Sequence, residues 1–444
     1  MSQNESIVAG VNDTSRSLGK SDPYESSRYR NYVLGVLTLV YCTNFVDRQL
    51  MSILQESIKQ ELLLSDTQLG LLTGFTFAIF YVLAGIPIAH MADRSVRRNI
   101  ISGSIAIWSL MTAVSGAAMN LLQLSLARIG VGIGEAGCTP PAHSMISDIF
   151  PASQRATALS IYSIGINIGV LLGFLLGGWL NEFYGWRIAF VVVGLPGIAV
   201  ALLMRFTVAE PTRGFSENAR SDDQTSHSVK EVISLLWSYP SFRHLSMACG
   251  LSAFIVYASI NWMAPFMIRT HGIGTGELGT WLALSTGVGG AIGTFAGGYL
   301  TDRFGKRDQR WYMWLPAFAT LLSVPLLAMT FLADDVYSAL LFNIIPAIVS
   351  MCYLGPCLAM THGLVGLKMR AVASSIVLLV INVIGLGIGP WAIGALSDAL
   401  LNDYGVDSLR YALLSILPVV GVWCAMHFFL AAKSLREGLA KAPN

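Results

Sequence analysis

Charge is what this chain of 444 residues has least of: Asp, Glu, Lys and Arg together make up 12% of it, about half the share of an ordinary globular domain. A water-facing surface of that size cannot be assembled from so few ionised groups, so a cytosolic enzyme, a nucleic-acid binder and a disordered chain are excluded. Motifs of covalent chemistry are missing too. There is no HExxH and no GxSxG, and the nearest fragment of a phosphate loop, Gly19-Lys20-Ser21, has Thr14 where the leading glycine belongs. The six cysteines (Cys42, Cys138, Cys249, Cys352, Cys357 and Cys424) stand singly in apolar runs with no CxxC spacing. Neither a disulfide framework nor a metal site is expected, and no cofactor beyond protons as a coupling ion. Residues 1–29 hold no apolar core of a signal peptide, so the first spanning helix must direct insertion.

Apolar residues fill the space that charge leaves, at 54% of the chain with 43 glycines and a mean hydropathy of +0.60. A bilayer span needs about 20 mainly apolar residues, and twelve runs qualify: 31–55, 67–90, 98–117, 120–148, 154–181, 186–208, 242–269, 275–301, 310–333, 335–364, 370–398 and 409–433. The expected fold is therefore an all-α membrane protein of twelve transmembrane helices in two pseudo-symmetric six-helix bundles, 30–208 and 241–434. A disordered tail (1–29), a polar linker (209–240) and a short tail (435–444) complete the chain. Lys and Arg favour cytoplasmic segments. With both termini inside, 22 of the 28 basic residues lie on that side and four (Lys59, Arg187, Arg269, Arg410) on the other. The expected setting is the plasma (inner) membrane. Within the linker, Val229 to Trp237 has the pattern of a short amphipathic helix, and the rest reads as a tether.

The halves repeat. AlaHisMetAlaAspArgSerValArgArg (89–98) follows the second span and GlyTyrLeuThrAspArgPheGlyLysArg (298–307) follows the eighth, with Asp93 and Asp302 209 residues apart. Arg155 is echoed by Arg370, and Arg187 by Arg410. The 298–307 run resembles the signature loop of the major facilitator superfamily; the 89–98 copy has Ala89 and Val96 in place of its glycines. LeuSerLeuAlaArgIleGlyValGlyIleGlyGluAla (124–136) is similar to that superfamily's arginine-bearing fourth helix, and Gly165, Gly169, Gly173, Gly177 and Gly178 to its glycine-spaced fifth. AsnPheValAspArgGln (44–49), GlyGluAla (134–136) with ProProAla (140–142), and IleSerAspIlePhePro (146–151) resemble the spinster branch. The likeness implies a proton-driven or facilitative carrier with relatives that move sphingolipids and lysophospholipids, built of repeated halves.

Four ionisable residues lie inside spans, where even mild scales set a cost of roughly 2.5–3.5 kcal/mol each: Asp47, Arg48, Arg128 and Glu135. Helix rise puts the first three at a common depth of roughly 10–12 Å, with Glu135 about 10 Å further toward the midplane. Arg128, Gly132 and Glu135 share one face of span four by their i, i+4, i+7 spacing. One reading is a pair of structural salt bridges. The other is a proton-coupling cluster in which Asp47 and Glu135 are protonated, Arg128 is a switchable counter-ion, and Arg48 is a second partner or a contact to an anionic head.

The resemblance implies a cytoplasmic gate from Asp93, Arg94, Arg97, Arg98, Asp148, Asp302, Arg303, Lys306 and Arg307, although basic residues there also satisfy topology alone. It also implies a central cavity lined by spans one, four, seven and ten and their neighbours. The substrate-binding candidates are Asn44, Tyr162, Asn167, Tyr257, Asn261, Trp262 and Tyr353. A cavity charged on one wall and apolar on the other suits a small amphipathic substrate; a small organic anion or a hydrophobic drug fits the same description. Gly355-Pro356, Gly389-Pro390 and Pro140-Pro141 mark hinges or fixed bends. The expected partners are the substrate, protons and the bilayer, with no nucleic acid and a monomeric chain. A channel and a membrane enzyme are the rival classes. Matched six-span halves argue against the first, and the missing motifs against the second.

Overall fold

The computed structural model describes residues 22–216, 229–366 and 369–443, apart from the side chain of Asp93. Among the described residues there are helices and turns and no strands, as a bilayer requires of a chain whose backbone groups must be satisfied within each segment. Twelve spans follow in order. Span 1 is Ser27–Leu62; span 2 joins Asp66–Thr73 to Phe75–Arg94; span 3 is Arg97–Ser115; span 4 joins Leu121–Ala136 to Thr139–Ile149. Spans 5 and 6 form one continuous run, Ala152–Thr207, and span 7 is Pro240–His271. Span 8 is Thr275–Leu282, Ala283–Val288 and Gly289–Gly305; span 9 is Trp311–Leu332; span 10 is Val336–Val349 with Leu354–Gly363. Span 11 is Arg370–Val380, Ile381–Ile388 and Gly389–Tyr404, and span 12 is Ser408–Ala440. Six helical stretches, two of them long enough for a double passage, are apolar enough to cross a membrane by composition alone.

The breaks have local causes. Spans 5 and 6 reverse at Gly185, whose φ of +79° is open to glycine and strained for other residues. Span 4 is interrupted at Gly137-Cys138 and restarts with Pro140-Pro141, where a helix's first turn tolerates proline. The interruption leaves Glu135 one residue from the end of its helical segment. Ala283–Val288 and Ile381–Ile388 are π-helical, a form that gathers at functional bends. The Gly389-Pro390 pair restarts span 11 immediately after the second of these.

Both described chain ends and the described parts of the linker lie on one face, called here the terminal face. The chain is helical from Pro23 onward, so residues 22–29 are ordered where a structureless tail was expected, while 1–21 lie outside the described residues. Tyr24, Tyr29 and Tyr32 tie this segment to Thr207 and Ala209 at the end of span 6. Of the linker, Val229–Ser238 is a helix, with Val232 and Leu236 buried and the body set against spans 7 and 11.

The halves meet through spans 1 and 7, 2 and 11, and 5 and 8. Toward the opposite face the apolar core is continuous between them: Leu50, Leu69 and Phe174 of the first half belong to one cluster with Trp262, Phe266 and Leu282 of the second. Toward the terminal face the first half keeps a separate cluster around Leu37, Ile101 and Met204, which the second half enters with Leu386 and Tyr257. The molecule is sealed on the opposite face and parts toward the terminal one.

Candidate functional site

Successive helical residues point about 100° apart, and span 1 uses that to send two adjacent charges to different neighbours. Asp47 turns toward span 3, where its Oδ2 accepts a hydrogen bond from the Thr112 hydroxyl. Arg48 turns toward spans 2 and 4: its Nε donates to Glu135 Oε2 at 2.7 Å. The Arg48 guanidinium also lies 5.2 Å from the centroid of Phe45, 4.8 Å from Phe77 and 5.2 Å from Tyr81. Such an aromatic cage favours a cation that has lost part of its water. Arg128 sits over the Phe77 ring at 5.4 Å and within electrostatic reach of both Asp47 and Glu135.

The four expected charges are therefore one cluster, with a pairing that differs in detail from expectation. Glu135 is hydrogen-bonded to Arg48, and Arg128 is hydrogen-bonded to neither acid among the described residues: its Nε and Nη1 are buried without a partner. Asp47 Oδ1 and Glu135 Oε1 are unpartnered as well. Two acids and two bases balance in charge but not in hydrogen bonds, and each such buried vacancy costs about 1–3 kcal/mol. The Arg48 side chain, 15% exposed against 0% for Glu135, is the open edge of the cluster.

The remaining candidates separate by position. Asn44, one turn before Arg48, is buried beside Glu135. Tyr162 is fully buried, stacked on Tyr41 at 4.4 Å, with its hydroxyl unpartnered. Asn167 faces Gly290 of span 8 across the halves. Asn261 links spans 1 and 7 by accepting from Ser52 Oγ at 3.1 Å, and donates to the Tyr257 carbonyl at 2.8 Å. Trp262 is wholly buried and donates to the Pro390 carbonyl at 2.8 Å; its ring packs span 7 against span 11. Tyr353 lines a small pocket with Ser252 and Thr320. A neighbouring pocket lies among spans 7 to 10, with Phe174 of span 5, and is walled by Ile255, Ile260, Met263 and Leu327 with Ser259 and Asn343.

On the terminal face each half clasps itself. Arg97, 1% exposed, binds Asp148, Glu210 (2.8 Å), Ser144 (2.7 Å) and the Pro211 carbonyl (3.0 Å). Arg98 donates its backbone N–H to Glu210 at 2.9 Å. Arg94, Lys306 and Arg307 are exposed, Asp302 accepts from Tyr312 at 2.7 Å and Arg303 reaches Tyr299 at 3.3 Å. The side chain of Asp93 lies outside the described residues. In the second half the bonded group is instead Asp308, 2.8 Å from Arg310 and 2.9 Å from Arg436, and the Arg310 hydrogen bonds hold its carboxyl well below the usual range. Among the described residues no ion pair on this face joins the halves.

The opposite face holds a group that sequence reasoning missed. Arg269 of span 7 reaches into the first half, 2.6 Å from Glu56 and 2.7 Å from Asp66, and Lys59 adds a third contact at 2.6 Å from Asp66. The signal was the set of four basic residues on the sparse side. Each meets an acid: Arg187 lies 2.9 Å from Glu61 and Arg410 3.7 Å from Asp407.

Residues 37–390 match the profile of the Major Facilitator Superfamily. The chain belongs to that superfamily. It is similar to an MFS-type efflux pump of Mycolicibacterium smegmatis (strain ATCC 700084 / mc(2)155), with 33% identity over 91% of this chain and 93% of the relative. Protein spinster homolog 1 of Xenopus laevis is 25% identical over 93% of this chain and 83% of its own. Among solved structures, a bacterial homologue of the human lysosomal transporter spinster, inward-facing and unoccupied, superposes with a TM-score of 0.86 at 34% identity, covering 93% of this chain and 99% of the other. Within the superfamily the chain is spinster-like, a transporter and not an enzyme. As a secondary transporter of this fold it works by alternating access, and the sealed opposite face corresponds to one end of that cycle.

Proposed function

We propose that this protein couples proton movement to transport of an amphipathic, lysophospholipid- or sphingoid-like molecule, with the terminal face and both chain ends on the cytoplasmic side of the inner membrane. The observation that carries the reading is the contrast across the molecule: a balanced but under-bonded charge cluster on one side and a mainly apolar pocket on the other. Asp47 and Glu135 have lone pairs to receive a proton, and Arg128 has donors free to follow whichever carboxylate remains ionised. Arg48, caged by aromatic rings and partly open, suits the anionic or zwitterionic head. The cavity among spans 7 to 10 suits the tail. The chain then acts alone, as a monomer, with protons in place of a bound cofactor.

The spinster likeness supports the lipid substrate. The resemblance to an efflux pump favours a second reading, extrusion of hydrophobic drugs or organic anions by the same machinery. Proteoliposomes separate them: lysophospholipid, sphingoid base, organic acid and a hydrophobic dye are each offered with and without an imposed pH gradient. Gradient-driven movement of the first two is the expected result. Movement of the dye or the acid alone selects the second reading, and flux indifferent to the gradient removes proton coupling.

A further inference from the structure

Span 11 carries a carboxylate that serves the other half of the molecule. Asp398 Oδ1 accepts from the backbone N–H of Asp66 at 3.0 Å and its Oδ2 from that of Thr67 at 2.8 Å, the first two residues of span 2. Glu182 of span 5 does the same in reverse: its Oε2 accepts from the N–H of Gly276 at 2.6 Å, the second residue of span 8. First-turn N–H groups have no partner in their own helix and form the positive end of its dipole. Ser65 caps the third position of span 2 from within the chain; the first two are capped from across the interface.

The two arrangements are copies of each other. Asp66, Thr67 and Gly70 precede Thr275, Gly276 and Gly279 by 209 residues, the spacing of Asp93 and Asp302, while Gly178, Asn181 and Glu182 precede Gly394, Ser397 and Asp398 by 216. The contacts keep this register. A Cβ on Gly178 would fall 2.4 Å from the Thr275 carbonyl oxygen, and one on Gly394 2.2 Å from that of Asp66. Asn181 Nδ2 lies 3.2 Å from Thr275 Oγ1, and Ser397 Oγ 2.6 Å from Asp66 Oδ2. Glycine at these positions is what lets the helices close until a carboxylate reaches the opposing first turn.

We propose that this duplicated clasp is the latch that holds the opposite face shut, and that its copies are unequally strong. The span 2–span 11 copy is reinforced by Asp66, Arg269 and Lys59, whereas in the span 5–span 8 copy uncharged Thr275 stands where Asp66 does and is met by Asn181, the counterpart of Ser397. The proposal rests on alternating access and on neither the substrate nor the proton.

The test uses the full chain in nanodiscs without substrate, spin-labelled at Leu63 and Val406, which are 88% and 76% exposed on the opposite face of the two halves. Electron-electron distance measurements then read the two populations. Asp398→Asn should raise the long-distance population relative to the short by roughly tenfold and Glu182→Gln by roughly threefold, since Asp398 accepts from two first-turn N–H groups and Glu182 from one, and hydrogen bonds to charged groups are the stronger ones. The double variant should exceed both. Asp308→Asn, on the terminal face, should leave the distribution unchanged. If Asp398→Asn does not insert stably, Thr67→Pro, which deletes one of the two capped N–H groups at a position in the first turn, is read in the same way. Unchanged distances in a folded double variant, or in Thr67→Pro combined with Glu182→Gln, overturn the proposal.

Discussion

The two halves of this transporter share a chain path and differ in what they bury. The first holds Asp47, Arg48, Arg128 and Glu135 in mid-membrane; the second places serines, Asn261, Asn343 and apolar side chains at the corresponding depth, around two cavities. Because the halves descend from one pattern, the second is a control for the first. Among the described residues the six helices of the second half close and pack without a single buried ion pair at their centre, so the cluster in the first half is not what makes the bundle fold. What both halves retain lies at their edges: the signature loops and the crossed contacts of spans 2, 5, 8 and 11. Scaffold was kept and lining was changed.

The sharpest way to break the comparison is to make the first half resemble the second. Replacing Asp47 by Asn together with Glu135 by Gln removes both proposed proton acceptors at nearly constant volume; gradient-driven uptake into proteoliposomes should fall at least about a hundredfold, while substrate counterflow at equal pH on both sides survives. Loss of both would make the carboxylates structural. Filling the second half is the converse. Ala347→Phe intrudes on the pocket among spans 7 to 10 and should cut uptake of long-chain substrates about tenfold while sparing short-chain homologues, measured as a chain-length series; a uniform loss would point to general overpacking instead.

The smallest effect is expected at the edge of the second half. Arg310 and Arg436 depress the Asp308 pKa, so the ionised form is favoured in the folded state, and its contribution is present above the unfolded pKa of about 4 and lost as pH falls through the folded value. Asp308→Asn should lower the melting temperature by no more than about 2 °C at neutral pH. That deficit should fade only below the ordinary aspartate range, as a pH series of melting curves would show.

Much of the architecture was legible in the sequence because hydropathy in a bilayer is written in contiguous runs: all twelve spans lie where apolar stretches do, and the Asp93–Asp302 spacing recurs in the clasp. The candidate charges were legible as well, since any of them in a span is conspicuous. Their pairing was not. Asp47 and Arg48 are neighbours in sequence, and only the rotation of span 1 decides which one faces Glu135. Trp262 reads as a pathway aromatic from its place in span 7, yet its indole is spent on the Pro390 carbonyl, a contact fixed by span 11. Arg269 looked like an exception to topology. Its partners Glu56 and Asp66 lie about 200 residues earlier in the chain and meet it only when the halves close.

The reversal at Gly185 is one of a set. On the opposite face the segments between spans are 63–65, 116–120, 185, 272–274, 333–335 and the single helical turn Gly405–Asp407. None is long enough to stand clear of the lipid headgroups as an extended strand. A protease or an antibody approaching from that side meets helix ends and little else, so limited digestion should nick the molecule from the terminal face alone. Epitope tags, fluorophores and binders raised to trap conformations have their accessible chain there too, on the side that carries the linker.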